Sequence, residues 1–205
     1  MKKVIIVVAH PNENSYNHAI ANLAKNLLIK NGYEVIFHDL YKEKFDPIFT
    51  SVELNIDYKI PDDILSYCNE IQEADGLIVV HPNWYGQLPA ILKGWVDRVF
   101  APNVVHSLPP EGSIITDGLL TSMTAIALVT SDVPLERELR VFKNPLETIW
   151  KNCIFGFSEV KDSTFKLITS VFHSSQDERE KWLNEIEELI NLKFPTQKNT
   201  IKLKD

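Results

Sequence analysis

Hydrophobic positions in this chain follow two periodicities that alternate along its length. Short continuous apolar runs, such as Val4-Ile5-Ile6-Val7-Val8-Ala9, read as strands buried on both faces. Between them, apolar residues recur three and four apart, the spacing of one helix face. The first such stripe is Ile20, Leu23, Ala24, Leu27 and Leu28. Asn14 or Ser15 is placed to cap its start, and Gly32 stands where the helix should stop. Glu34 to Leu40, centred on Val35-Ile36-Phe37, completes a β-α-β unit.

The alternation repeats. Pro61-Asp62-Asp63 opens a helix with Ile64, Cys68 and Ile71 on one face, and Gly76 to Val80 is the next buried strand. Pro89 takes the first turn of a helix striped by Leu88, Ile91, Leu92, Trp95, Val96 and Val99. Ala125 to Val129 forms a fourth strand, and Pro134 to about Asn144 a helix bounded by Pro145. A fifth strand is expected between Cys153 and Thr169. Ser175-Gln176-Asp177-Glu178 reads as a capping box before a last helix, striped by Trp182, Ile186, Leu189 and Ile190. This order predicts an α/β fold, a doubly wound parallel sheet with helices on both faces. No Gly/Ser-rich or charged linker divides the chain, so residues 1–195 are expected to form one domain and 196–205 a tail.

In such sheets ligands sit outside the carboxyl ends of the strands, which concentrates function in the loops after Ala9, Val80 and Val129. The first loop, His10-Pro11-Asn12-Glu13-Asn14-Ser15-Tyr16-Asn17, has neither a dinucleotide-binding glycine triplet nor a Walker lysine. Ser15 and Asn17, with the N–H groups of a helix start, instead make an anion site suited to phosphate or pyrophosphate. A structural capped loop is the alternative. The second loop, His81 to Pro89, sets Trp84 beside Tyr85. Their faces suit a flat ring such as an isoalloxazine, or Trp84 closes the end of the core.

Composition narrows the partners. The 205 residues are 44% hydrophobic and 24% charged, ordinary for a globular chain, with a formal net charge of -7 that disfavours nucleic-acid binding. The longest apolar run is too short to span a bilayer and no signal-peptide pattern is present, so a cytoplasmic location without membrane insertion is expected. Lys193, Lys198, Lys202 and Lys204 read as a solvated, frayed end. Cys68 and Cys153 lack CxxC spacing, so neither a zinc site nor a redox dithiol is suggested and reduced, buried thiols are expected. A phosphoacceptor receiver domain is excluded by His10-Pro11 and His81-Pro82 where acidic residues would be required.

His10-Pro11, then Ser15-Tyr16-Asn17, then Pro82-Asn83-Trp84-Tyr85-Gly86-Gln87-Leu88-Pro89 running on to Lys93-Gly94-Trp95-Val96-Asp97-Arg98-Val99-Phe100 resembles the NAD(P)H dehydrogenase (quinone) family. That family includes the flavin-containing ancillary subunits of potassium efflux systems. The resemblance covers roughly residues 3–135. It implies a flavodoxin-like fold with five parallel strands in the order 2-1-3-4-5, a homodimer, and FMN or FAD as cofactor. It also implies ping-pong, two-electron transfer from NADH or NADPH to a quinone or similar acceptor. By motif position, His10, Ser15, Tyr16 and Asn17 would hold the flavin's phosphate and ribityl side; Pro82, Asn83, Trp84 and Tyr85, with Gly86, would line its ring.

Within the matching stretch, Lys93 and Asp97 are read as a surface ion pair and Gly94 as a close-packing position. The third loop departs from the pattern. Thr130-Ser131-Asp132-Val133 stands where family members carry Thr-Thr-Gly-Gly, so Thr130, Ser131 and Asp132 would face the ring with less backbone freedom. Asp132 either opposes charge on the ring or caps the helix from Pro134, the reading preferred here. Residues 133–150 hold neither the Tyr nor the His of the quinone reductases, so no catalytic residue is assigned. A regulatory flavin-binding subunit of a membrane transporter is the alternative function.

Overall fold

Central strands with apolar residues on both faces build a sheet that must be covered twice. The computed structural model of the chain describes residues 1–55, 59–111 and 113–197. The strands are β1 (Lys3–Val8), β2 (Glu34–Asp39), β3 (Gly76–Pro82), β4 (Thr124–Thr130) and β5 (Asp162–Ile168). They pair in parallel as one 5-stranded sheet in the order β2-β1-β3-β4-β5, the flavodoxin-like arrangement expected. The register sets Ile6 beside Ile78 and Ile78 beside Ile126, so alternate residues of the three inner strands form two apolar layers.

One layer, with Ile5, Val7, Leu77, Val79 and Ala127, is covered by helices α2 (Asp62–Glu73) and α3 (Ala90–Val99) through Ile64, Cys68, Leu92 and Trp95. The other, with Val4, Ile6, Ile78 and Leu128, is covered by α1 (Tyr16–Lys30) and the last helix, Gln176–Lys193. Ser15 caps α1 and accepts from His18 N–H. Gly32 follows the helix end at a φ of 86°, a left-handed turn that a side chain would strain. The capping box at Ser175 and Glu178 is formed.

Three sequence expectations change. The helix expected from Pro134 to Asn144 is only Leu135–Arg140 (α4), because the chain reverses through Lys143 and Asn144, both at positive φ. Pro145 then opens a new helix, α5 (Pro145–Thr148), that continues as wide π-type turns over Ile149–Gly156. Numbered after it, the last helix is α6. Second, Cys153 is exposed on that wide helix, while Cys68 is buried as expected. Third, Lys193 is not frayed: its ammonium lies 2.7 Å from Asp162. Lys198, Lys202 and Lys204, with the rest of 198–205, lie outside the described residues. The fifth strand falls inside its expected range, Lys93 pairs with Asp97 on the surface, and Gly94 is a close approach.

Candidate functional site at the strand ends

The chain leaves β1 toward one edge of the sheet and enters β3 on its other side, so the loops after β1 and β3 part and open a crevice. The loop after β4 forms its third wall. His10, Ser15, Tyr16, Asn17, Pro82, Asn83, Trp84, Thr130, Ser131 and Asp132 line this cleft of about 220 Å³, joined by Val133 and Val171. Tyr85 and Gly86 stand outside it. They form the tip of a tight turn in which Trp84 and Gln87 exchange backbone hydrogen bonds (3.2 and 3.0 Å), with φ of 55° and 75°. Tyr85 is fully exposed there. Trp84 is 40% exposed, so it does not close the core.

At one end, α1 presents its N-terminus. Helix geometry leaves the Tyr16 and Asn17 N–H groups without intrahelical acceptors, and the first turn carries no acidic residue. Side chains here are already engaged. The Tyr16 hydroxyl donates to the Arg179 carbonyl at 2.8 Å, and burial pushes its pKa up to about 12. The buried Asn17 amide donates to Thr130 Oγ1 at 3.0 Å, tying α1 to β4. Ser15 Oγ lies 2.9 Å from His18 Nδ1, and His18 Nε2 lies 2.9 Å from Asp39 Oδ2. His10 Nδ1 sits within 3.1 Å of Asn12 N and 3.2 Å of its carbonyl. Burial holds its imidazole below the ordinary pKa, opposed by the Asn12 carbonyl and reinforced by His18. The His10 and Trp84 rings meet at 6.5 Å, closing one side.

The β3 and β4 loops are joined by a residue the sequence did not single out. Glu138, on the inner face of α4, is buried, and its Oε1 accepts from Asn83 Nδ2 at 2.8 Å and from Ser131 Oγ at 2.6 Å. Asn83 Oδ1 in turn accepts from Gly86 N, and Ser131 Oγ from Val133 N. Glu138 Oε2 is buried without a partner among the described residues. The signal was its place on the α4 face turned toward the sheet, hidden in a charged stretch, Leu135-Glu136-Arg137-Glu138. Beneath the loop, His81 is fully buried. Its Nε2 accepts from Trp150 Nε1 at 2.8 Å and its Nδ1 meets the Pro82 carbonyl at 2.9 Å. Burial pulls its pKa down to about 4.

Asp132 does not cap α4, which corrects the preferred sequence reading. Its carboxylate accepts from Phe172 N at 2.9 Å, and Pro134 precedes the helix with no side-chain cap. Ser131 N–H also donates to the Ile168 carbonyl at the end of β5, and the Ser131 carbonyl accepts from Val171 N–H. No residue of 130–133 has a positive φ, so the loop runs without the freedom that glycines would give. A larger cavity of about 460 Å³ lies between α2 and α3, away from the strand ends. Its rim includes Asn55 and Ile60, on either side of residues outside the description, and Arg98 in its wall is already bound to Glu53 at 2.8 Å.

Over residues 2–190 the chain matches the family described as flavodoxin-like fold. The chain belongs to the flavodoxin-like NAD(P)H dehydrogenase (quinone) family. It is an oxidoreductase. A Haemophilus influenzae protein named an uncharacterized NAD(P)H oxidoreductase is 32% identical over 187 residues, covering 89% of this chain and 90% of that protein. The NAD(P)H dehydrogenase (quinone) 1 of Cavia porcellus is 34% identical over 127 residues, 52% of this chain and 46% of its own. The chain thus matches less than half of that longer enzyme. Among solved structures, a Streptococcus mutans UA159 protein superposes with a TM-score of 0.78 at 28% identity, covering 93% of this chain and 99% of its own. No helix among the described residues is long and apolar enough to cross a membrane.

Proposed function

We propose that this oxidoreductase holds a flavin, FMN or FAD, across the cleft and passes a hydride equivalent from NAD(P)H to a quinone-like acceptor. One observation carries the reading: the loops after β1, β3 and β4 converge on one crevice with an anion-binding helix end on one side and an accessible Trp84 face on the other. The donor set fits the group. Free amides of Tyr16 and Asn17, with Ser15 and His10 beside them, suit a phosphate. Asn83 and the Thr130–Asp132 backbone offer polar contacts to a ring edge, and Trp84 and Pro82 an apolar wall. Asp132 lines the cleft with its carboxylate anchored by Phe172 N–H, so its charge would bear on a reduced, anionic ring from a fixed position.

A flavin bound here supplies two-electron transfer in ping-pong alternation between nucleotide and acceptor, and the chain's task is to orient both over it. The Glu138 clamp fixes Asn83 and Ser131, and His81 and Trp150 hold the Pro82 carbonyl from below. At about 220 Å³ the cleft is smaller than the ~300–1,000 Å³ of ordinary ligand pockets, which supports completion of the site by a second subunit. The exposed Tyr85 at its rim would be part of that wall. This reading is tested by the visible spectrum of purified protein, with FMN or FAD added, before and after anaerobic NADH or NADPH. Flavin absorbance that bleaches is the expected result. Trp84→Ala should lower flavin retention severalfold. Protein that takes up neither flavin overturns the reading, and bound flavin that no nicotinamide nucleotide reduces would favour the transporter-subunit alternative.

A further inference from the structure

Beneath the anion end of the cleft, Ser15, His18 and Asp39 form a chain: Ser15 Oγ to His18 Nδ1 at 2.9 Å, His18 Nε2 to Asp39 Oδ2 at 2.9 Å. The His18 and Asp39 side chains are only 7% and 12% exposed. A carboxylate can only accept, so it fixes the proton of the neutral ring on Nε2. Nδ1 is then bare and must accept the Ser15 hydroxyl proton. Ser15 Oγ also accepts from His18 N–H, at 3.3 Å. In that state the hydroxyl at the mouth of α1 has no proton left for a ligand and turns a lone pair toward it, which repels an anion. A proton added to Nδ1 reverses the bond: Nδ1–H donates to Ser15 Oγ, and the hydroxyl proton becomes free to donate into the cleft.

We propose that His18 is a positioning residue that sets the donor state of Ser15, so that binding an anionic cofactor group at the α1 end takes up one proton on His18. The inference rests on the reading that a flavin phosphate occupies this end. No bond to the ligand other than hydrogen bonds forms, and the proton comes from solvent. Asp39 accepts from His18 Nε2–H in both states of the ring; its other oxygen is engaged at 3.2 Å by Lys42 N–H. The groups set against His18 from neighbouring elements are Asp39 at the end of β2 and His10 of the β1 loop, whose ring lies 6.4 Å away. From α6 the contact is with Tyr16, through the Arg179 carbonyl, while the Arg179 guanidinium is held by Ser174 Oγ at 2.8 Å. β1 and β3 present apolar residues to α1.

FAD is the probe, because a phosphate monoester titrates near pH ~6 and would mask the effect, whereas the diphosphate ester does not. FAD affinity of the wild-type protein is expected to weaken as pH rises, by up to about tenfold per pH unit, the limit for one proton taken up on binding. Calorimetry in buffers of different ionisation enthalpy should show uptake approaching one proton per FAD. Riboflavin, which lacks the phosphate, should bind with a flat profile. His18→Gln should abolish the slope and the proton uptake, and His10→Gln should retain both. FAD that binds without proton uptake, or equal slopes in wild type and His18→Gln, overturns this inference and leaves the flavin reading standing. Failure of FAD to bind at any pH overturns both. The calorimetric arm needs no variant, so a poorly folded substitution does not remove the test.

Discussion

At the scale of single residues, the candidate site depends on side chains one layer behind those that line it. Glu138 touches no open surface, yet one of its oxygens holds Asn83 and Ser131 on two different loops. Its second oxygen is buried and unpartnered, so part of what the carboxylate contributes is offset by desolvation. Glu138→Gln keeps an acceptor of the same shape and should preserve both loops. Glu138→Ala strands two donors and should cost about 1–3 kcal/mol in denaturant unfolding, together with a marked loss of flavin retention. Equal unfolding midpoints for Glu138→Ala and the parent would show that the clamp carries no load.

At the scale of elements, the decisive contacts are those that fix where a helix begins and what it lies against. α1 owes its orientation to Ser15 at its cap, to Tyr16 reaching α6 and to Asn17 reaching β4. α3 lies close to the segment after β2 because Gly94 has no side chain. A Cβ there would sit 2.2 Å from the Pro47 carbonyl oxygen and 2.5 Å from its Cα, both backbone atoms that cannot yield cheaply. Alanine is otherwise favoured in a helix by about 1 kcal/mol, so the sign of the change discriminates. Gly94→Ala should destabilise the protein by about 1–3 kcal/mol through forced backbone movement. An increase in the urea midpoint would contradict this packing.

At the scale of the whole molecule, a buried and a half-buried histidine give stability opposite dependences on pH. His81, with a folded pKa of about 4 against 6.5 when unfolded, is held neutral mainly by burial. Its contribution is complete above the unfolded value and lost as pH falls from there toward 4, amounting to about 3 kcal/mol. For His38, burial opposes the charged form, but hydrogen bonds to Glu43 and Glu70 outweigh it and raise the pKa. Its contribution is full below the unfolded value and fades as pH rises through the raised folded one. Denaturant midpoints measured against pH should therefore fall on the acid side, with a shallower decline above neutrality. His81→Asn should flatten the acid limb; an unchanged limb would exclude this origin.

The sequence by itself determined the order of elements, the two-sided burial of the inner strands and the three loops that meet at the strand ends, because all of these follow from local periodicity and capping. It also narrowed the α1 cap to Asn14 or Ser15, of which the fold uses Ser15, and located Ser175 with Glu178 as the α6 capping box, since each cap acts within one turn. Only the tertiary structure decided what those loop residues do with their side chains. Asp132 turned to Phe172, forty residues along, rather than to its own helix, and Asn17 to Thr130. Glu138, and the Ser15–His18–Asp39 chain, became visible only when the sheet brought α4 against the β3 loop and β2 against α1. Hydrogen bonds between residues distant in sequence leave no periodic trace, so the partner of a polar side chain is set by the fold and not by its neighbours in the chain.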